Sequence, residues 1–177
     1  MNMTLDGYCD HTEMIADDEI HQHYNELLRG GDTLLYGRIT YQLMESAWPG
    51  IVEDPTGNKS IDEFAIIIDN ISKIVFSHTL KNVQWKNSRI AKRSIKEEVL
   101  QLKKEPGKNI LIGSPSLIVA ALNLKLVDEL QLCVQPTILG KGLPFLKNIN
   151  DRINLKLLKT KSFSHGSILL YYEPLKK

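Results

Sequence analysis

The sequence predicts an α/β fold built on a mostly parallel mixed sheet. Three observations carry that prediction. Short apolar strands alternate with amphipathic helices over the first two-thirds of the chain, the pattern of strand–helix–strand units with a parallel sheet. Two of those strands run through a glycine straight into a helix, at Gly37 and at Gly113. The chain then closes on two strands joined by Ser164-His165-Gly166, a hairpin that adds an antiparallel edge.

The elements follow in order. Met1–Leu5 reads as a short strand ended by the turn pair Asp6-Gly7. Asp17 is placed to cap a helix whose stripe is Ile20, Tyr24, Leu27 and Leu28, stopped by Gly30-Gly31. Thr33–Tyr36 is a strand, and Gly37 opens a helix to about Glu45, where Trp48-Pro49-Gly50 reads as its break. Residues 50–60 read as a loop with turn chemistry at Asp54-Pro55-Thr56-Gly57-Asn58, before a helix over Ile61–Asp69. Lys73–Phe76 is a strand closed by Ser77-His78-Thr79, and Gln84–Ile90 is a weaker strand. Ile95, Val99 and Leu102 mark a helix ended near Pro106-Gly107. Asn109–Ile112 is a strand running into Gly113-Ser114-Pro115-Ser116 and a helix striped by Leu117, Ala120, Ala121 and Leu124. Val127–Gln135 reads as a strand, Leu139–Pro144 as a glycine-rich loop, and Leu155–Phe163 with Ser167–Glu173 as the final hairpin.

A chain of 177 residues suits a single domain spanning 1–177 and needs no metal or disulfide to stand. A net charge of +1 supplies no field to gather nucleic acid or an anionic membrane, so any binding site is local. Cys9 and Cys133 form no paired motif and read as free thiols of a reducing compartment. No basic-then-apolar leader opens the chain, and no apolar run reaches the ~20 residues of a membrane span. A cytoplasmic protein is expected.

Ligands of open parallel sheets bind beyond the carboxyl ends of the strands. Three such ends carry phosphate-friendly residues. Gly37-Arg38-Ile39-Thr40 offers a close backbone approach, a cation, a hydroxyl and a helix N-terminus. Alone it fits a tight turn with an exposed arginine equally well. Gly113-Ser114-Pro115-Ser116-Leu117 repeats the arrangement, although Pro115 removes one N–H and suits any first helical turn. Ser77-His78-Thr79 adds two hydroxyls and an imidazole, and alone is turn chemistry. Together the three suit an extended, multiply charged ligand such as a dinucleotide with a 2′-phosphate. Neither the G-x-G-x-x-G nor the G-x-x-x-x-G-K-[ST] pattern is present. His11, His21 and His23 lack the companions and spacing of a metal site. Cys9 with His11 lacks an orienting third group. Tyr41 and Trp48 suit a pocket wall or the core equally.

These segments resemble a known family. Leu34-Leu35-Tyr36-Gly37-Arg38-Ile39-Thr40-Tyr41, Lys73-Ile74-Val75-Phe76-Ser77-His78-Thr79-Leu80 and Ile112-Gly113-Ser114-Pro115-Ser116-Leu117 resemble, in order, three segments of the dihydrofolate reductases and their relatives. Val127-Asp128-Glu129-Leu130 with Pro136-Thr137-Ile138-Leu139-Gly140-Lys141-Gly142, and the opening Asn2-Met3-Thr4-Leu5-Asp6-Gly7-Tyr8, are similar to the branch that holds the C-terminal reductase domain of the bifunctional riboflavin-biosynthesis deaminase/reductase. The resemblance implies a dihydrofolate-reductase-like three-layer α/β/α sandwich and an NADP cofactor. It implies that Gly37, Arg38 and Thr40 with Gly113, Ser114, Pro115, Ser116 and Leu117 hold the phosphates. Ser77, His78 and Thr79 would then hold the adenosine 2′-phosphate. His78 stands where the family carries arginine. A neutral imidazole is a weaker phosphate partner than a guanidinium, which weakens the basis for preferring NADPH over NADH. Asp6 is the expected substrate-side contact.

The implied reaction is hydride transfer from NADPH to a small heterocyclic or sugar-linked substrate of the 5-amino-6-(5-phosphoribosylamino)uracil type. A pterin reductase and a non-catalytic nucleotide-binding protein are the alternatives. A homodimer is expected, with Leu169, Leu170 and Tyr171 near the sheet edge.

Overall fold

The computed structural model describes residues 1–9 and 17–175. Along the chain the order is β1 (Asn2–Thr4), α1 (Asp18–Arg29), β2 (Gly31–Gly37), α2 (Arg38–Glu53), α3 (Lys59–Asn70), β3 (Ser72–Phe76) and β4 (Ser88–Ile90). It continues with α4 (Ile95–Leu102), β5 (Asn109–Ile112), α5 (Pro115–Asn123), β6 (Leu130–Gln135), β7 (Leu155–Ser162) and β8 (Ile168–Pro174). The fold is mixed α/β. Residues 17–117 form one compact unit and the remaining described residues a second, with α5 starting in the first. Each unit has its own four-stranded sheet, where the sequence suggested one.

In the first unit the strands lie in the order β4-β3-β2-β5, and every neighbouring pair is parallel. Strands covered on both faces are apolar in runs rather than by alternation. Accordingly Thr33, Leu34, Leu35 and Tyr36 of β2 are buried consecutively, as are Lys73, Ile74 and Val75 of β3. Leu28, Leu34, Tyr36, Tyr41, Ile68, Ile71, Val75 and Trp85 form the core cluster. Lys73 is the exception in an apolar strand. Its Nζ donates to the carbonyls of Ile68, Asp69 and Ile71 at 2.8, 3.0 and 2.9 Å. It therefore caps the carboxyl end of α3, where the last carbonyls have no helical partner. Burial pushes its pKa down to about 8, while the nearby Asp69 charge pulls it up.

In the second unit the order is β1-β6-β8-β7. The β1–β6 pair is parallel and the other two are antiparallel. Leu169 and Tyr171 are buried within the chain itself, so they do not form the exposed edge that the sequence suggested. That edge is β7, whose eight residues are all exposed. Among the described residues no helix is long and apolar enough to cross a membrane.

The largest boundary differences from the sequence reading are at α2, at β4 and at β6, which starts at Leu130 and not at Val127. α2 runs on through Pro49 to Glu53. Proline costs the helix one hydrogen bond at Glu45, but Met44 and Trp48 pack against the core and carry the helix across it. β4 keeps only Ser88–Ile90 of the longer strand expected from residue 84. Trp85 instead buries its ring against Lys73, with Nζ 4.4 Å from the ring centroid, and donates through Nε1 to Asp69 at 2.8 Å.

Candidate functional site

Because β2, β3 and β5 are parallel neighbours, their carboxyl ends share one rim. Eleven of the twelve predicted site residues lie there: Gly37, Arg38 and Thr40 after β2, Ser77, His78 and Thr79 after β3, and Gly113 to Leu117 after β5. Gly37 is the register partner of Phe76, which sets Ser77 beside the start of α2. The Gly113 N–H donates to the Leu35 carbonyl at 3.1 Å, which sets the third turn on the other side of β2.

One hydrogen bond joins the two glycine turns. The Gly37 N–H donates to Ser114 Oγ at 2.8 Å, and Ser114 is buried. Gly37 has φ −79°, which any residue adopts, so its backbone does not need glycine. A Cβ there would stand 3.6 Å from Ser116 Oγ and 3.7 Å from Ser114 Oγ. Both are ordinary contact distances, and the missing side chain leaves the space between the two helix starts open. Gly113 answers to a different constraint. A Cβ on it would come within 2.6 Å of Cε1 of Tyr36, so the missing side chain is what lets the ring lie across the turn. Burial pushes the Tyr36 phenol far above its usual pKa, which keeps it a neutral hydroxyl.

The helix starts at this rim differ from the others. α1 is capped by Asp17, which accepts the Ile20 N–H at 2.9 Å, and has Asp18 and Glu19 in its first turn. α3 is capped by Asn58 and carries Asp62 there, and α4 is capped by Ser94 with Glu97 and Glu98. These side chains satisfy the free amides and offset the positive end of the dipole. α2 has no side-chain cap, and neither α2 nor α5 has an acid in its first turn. The exposed Arg38 adds a cation at the first of them, its Nη1 donating to Gln42 at 3.0 Å. Two adjacent, un-neutralised helix starts beside an arginine form an anion-binding arrangement. The residues present thus fit the phosphates of a dinucleotide.

After β3, Ser77 Oγ accepts the N–H groups of Thr79 and Leu80 at 3.1 and 2.8 Å. Ser77 therefore shapes the turn, and His78 and Thr79 are left exposed on it.

Asp6 lies in the second unit, where its carboxylate accepts the Thr4 hydroxyl and the N–H groups of Leu139 and Gly140. Other sequence candidates have structural places. Tyr41 is fully buried and donates to Glu45 at 2.6 Å, and Trp48 packs on Phe64 with centroids 4.4 Å apart. His21 meets the rings of Trp48 and Phe64, and His23 that of Tyr24. His11 lies outside the described residues. Asp18 accepts from Asn58 and Ser60, which holds its carboxyl below the usual range. A cavity of about 440 Å³ lined by Leu122, Val127, Arg152, Ile153 and Leu175 lies in the second unit. It sits where β8 ends, beside the start of β6, opposite the end a parallel sheet offers to ligands.

Tyr36 and Thr4 did not stand out in the sequence. An aromatic directly before a strand-end glycine was the available signal for Tyr36. For Thr4 there was none, because its partner is set by the turn at Asp6-Gly7.

Comparison with known proteins adds to this geometry. The model of the RibD C-terminal domain matches residues 1–169. An uncharacterised Bacillus subtilis protein, YyaP, is 35% identical over 176 residues, covering 96% of this chain and 90% of its own. Among solved structures, a putative riboflavin biosynthesis protein from a Shewanella species superposes with a TM-score of 0.72 at 17% identity, covering 99% of this chain and 97% of that one. A pyrimidine reductase-like protein from Corynebacterium diphtheriae gives 0.67 at 17% identity, covering 99% and 90%. At that identity the structures speak for the fold.

Proposed function

Since the chain belongs to the RibD C-terminal domain family, we propose that it is an NADPH-dependent reductase of a pyrimidine ribosylamine. The substrate class is that of 5-amino-6-(5-phosphoribosylamino)uracil. The observation that carries the reading is the pair of un-neutralised helix starts, α2 and α5, joined through the Gly37–Ser114 bond. Arg38, Thr40 and the Ser114–Ser116 turn hold the cofactor phosphates. Ser77, His78 and Thr79 take the adenosine end. When bound, NADPH would supply a hydride, which would go to the anomeric carbon of the ribosylamine as its bond to the ring oxygen breaks, and that oxygen would take a proton from solvent. The protein's own contribution is to hold the reacting carbon in place and to exclude water.

Calorimetric titration with NADPH and NADH tests this. NADPH binds the wild-type protein, and Arg38→Ala weakens it by about tenfold, the loss of one charge-assisted contact. His78→Arg raises NADPH affinity and leaves NADH unchanged. No heat at millimolar NADPH would remove the reading. Turnover is then followed as NADPH oxidation with the pyrimidine, and inhibition by methotrexate would redirect the assignment to a pterin.

A further inference from the structure

We propose that Asp6 is a positioning residue, whose carboxylate latches the glycine-rich loop 138–142 to the end of β1 and does not itself anchor substrate. What the loop faces rests on the reductase reading above, whereas the latch stands on geometry alone. Oδ1 of Asp6 accepts the Thr4 hydroxyl at 2.6 Å and the Leu139 N–H at 3.2 Å. Oδ2 accepts the Gly140 N–H at 2.7 Å and the Leu139 N–H, again at 3.2 Å. Three donors thus converge on the carboxylate, one of them, the Leu139 N–H, forked between both oxygens. Thr4 is fully buried, and its Oγ1 also accepts the Tyr8 N–H at 3.0 Å, which aims the hydroxyl.

The latch sits between backbone rungs. Leu5 donates to Thr137 at 2.8 Å, Cys9 to Leu143 at 2.9 Å, and Phe145 to Gly7 at 2.9 Å. Within the stretch that these rungs bracket, the N–H groups of Leu139 and Gly140 donate to Asp6. Gly140 and Gly142 have φ of 77° and 149°, conformations that cost the chain much freedom to fix. A charged acceptor at the centre of the loop offsets that cost. β1 and β6 are parallel and end together at Thr4 and Gln135. The loop thus stands at the end of the pair where a parallel sheet meets its ligand. The Thr4 hydroxyl, and after it the Gly140 amide, hold the Asp6 carboxyl down to about 2, so the latch is charged at all ordinary pH.

Amide hydrogen exchange on wild type and Asp6→Asn tests the latch, alongside NADPH titration and steady-state kinetics with 5-amino-6-(5-phosphoribosylamino)uracil. Asn keeps an acceptor for Thr4 but turns an NH2 group toward Gly140. Exchange at Leu139 and Gly140 then rises about tenfold, as for one lost charged hydrogen bond. NADPH affinity stays within about twofold, and KM for the pyrimidine rises about tenfold with kcat changed much less. Unchanged exchange at both amides overturns the latch. Lost turnover with unchanged exchange makes Asp6 a substrate contact and overturns it too. Raised exchange without NADPH oxidation by the wild type sinks the reductase reading and upholds the latch. Should Asp6→Asn fail to fold, carbon NMR of the wild type decides: the latch predicts no Asp6 titration near pH ~4, and a normal step there refutes it.

Discussion

The unit of residues 17–117 and the unit around the chain ends bury their sheets in different ways. In the first, β2 and β3 are covered on both faces, and a lysine is drawn in to cap a helix. In the second, β6 and β8 bury residues such as Cys133 and Leu169, while the edge strand β7 is exposed at every position. The difference teaches where precision is held. The first unit fixes its rim through the apolar core that Tyr36 shares: Tyr36 belongs to the core cluster and also lies against Gly113. The second fixes its rim through a surface network of hydrogen bonds centred on a carboxylate. Core-held rims fail by cavity or clash, and network-held rims fail by pH or by loss of one acceptor.

The largest expected effect is at Lys73. Lys73→Met keeps the volume but leaves the carbonyls of Ile68, Asp69 and Ile71 without their donor. We expect a loss of about 2–3 kcal/mol in urea unfolding, in the range for buried polar groups left unpaired. A loss below ~0.5 kcal/mol would show that α3 does not depend on the cap, and would weaken the contrast between the units.

Next is Gly113→Ala. Its Cβ would stand 2.6 Å from the Tyr36 ring, which is packed in the core and has little room to yield. The expected cost is about 1–3 kcal/mol in thermal unfolding, with weaker NADPH binding, because the ring and the turn move together. A stable variant with full cofactor affinity would show that the core does not set this rim.

The smallest effect sharpens the other side. Asp6 has its folded-state pKa lowered from 3.8 to about 2. Its contribution is therefore present above the unfolded value, near ~4, and is lost as pH falls through the folded one. The stability gap between wild type and Asp6→Asn, read as urea midpoints, is open near neutral pH and narrows below about pH 4. A gap independent of pH would mean that the carboxylate's charge is not what holds the network.

Much of the first unit was legible because its parts are local. A strand, a glycine and a helix start occupy one short stretch, and β5 at Asn109–Ile112 has the bounds expected of it. Parallel pairing then brings Gly37 to Ser114 without further instruction. The proline rule misplaced the end of α2, because packing by Met44 and Trp48 outweighed the one bond that Pro49 removes. Trp85 looked like part of a strand, since an aromatic suits a strand as well as it suits a lid over Lys73. Asp6 was recognisable only as a turn residue with family likeness. Its partner Gly140 lies 134 positions away, and no local pattern reports a contact of that separation.

The pairing of β1 has a consequence in the order of synthesis. Asn2, Met3 and Thr4 of β1 are made before every other described strand, yet they are matched to Cys133, Val134 and Gln135. The partners of β2 within 17–117, by contrast, are all made before β6 begins. The unit of residues 17–117 has its whole sheet in hand while β1 is still waiting for a neighbour. Long-range pairings of this kind form late and slowly. β1, made before the other strands, is thus among the last to find its place.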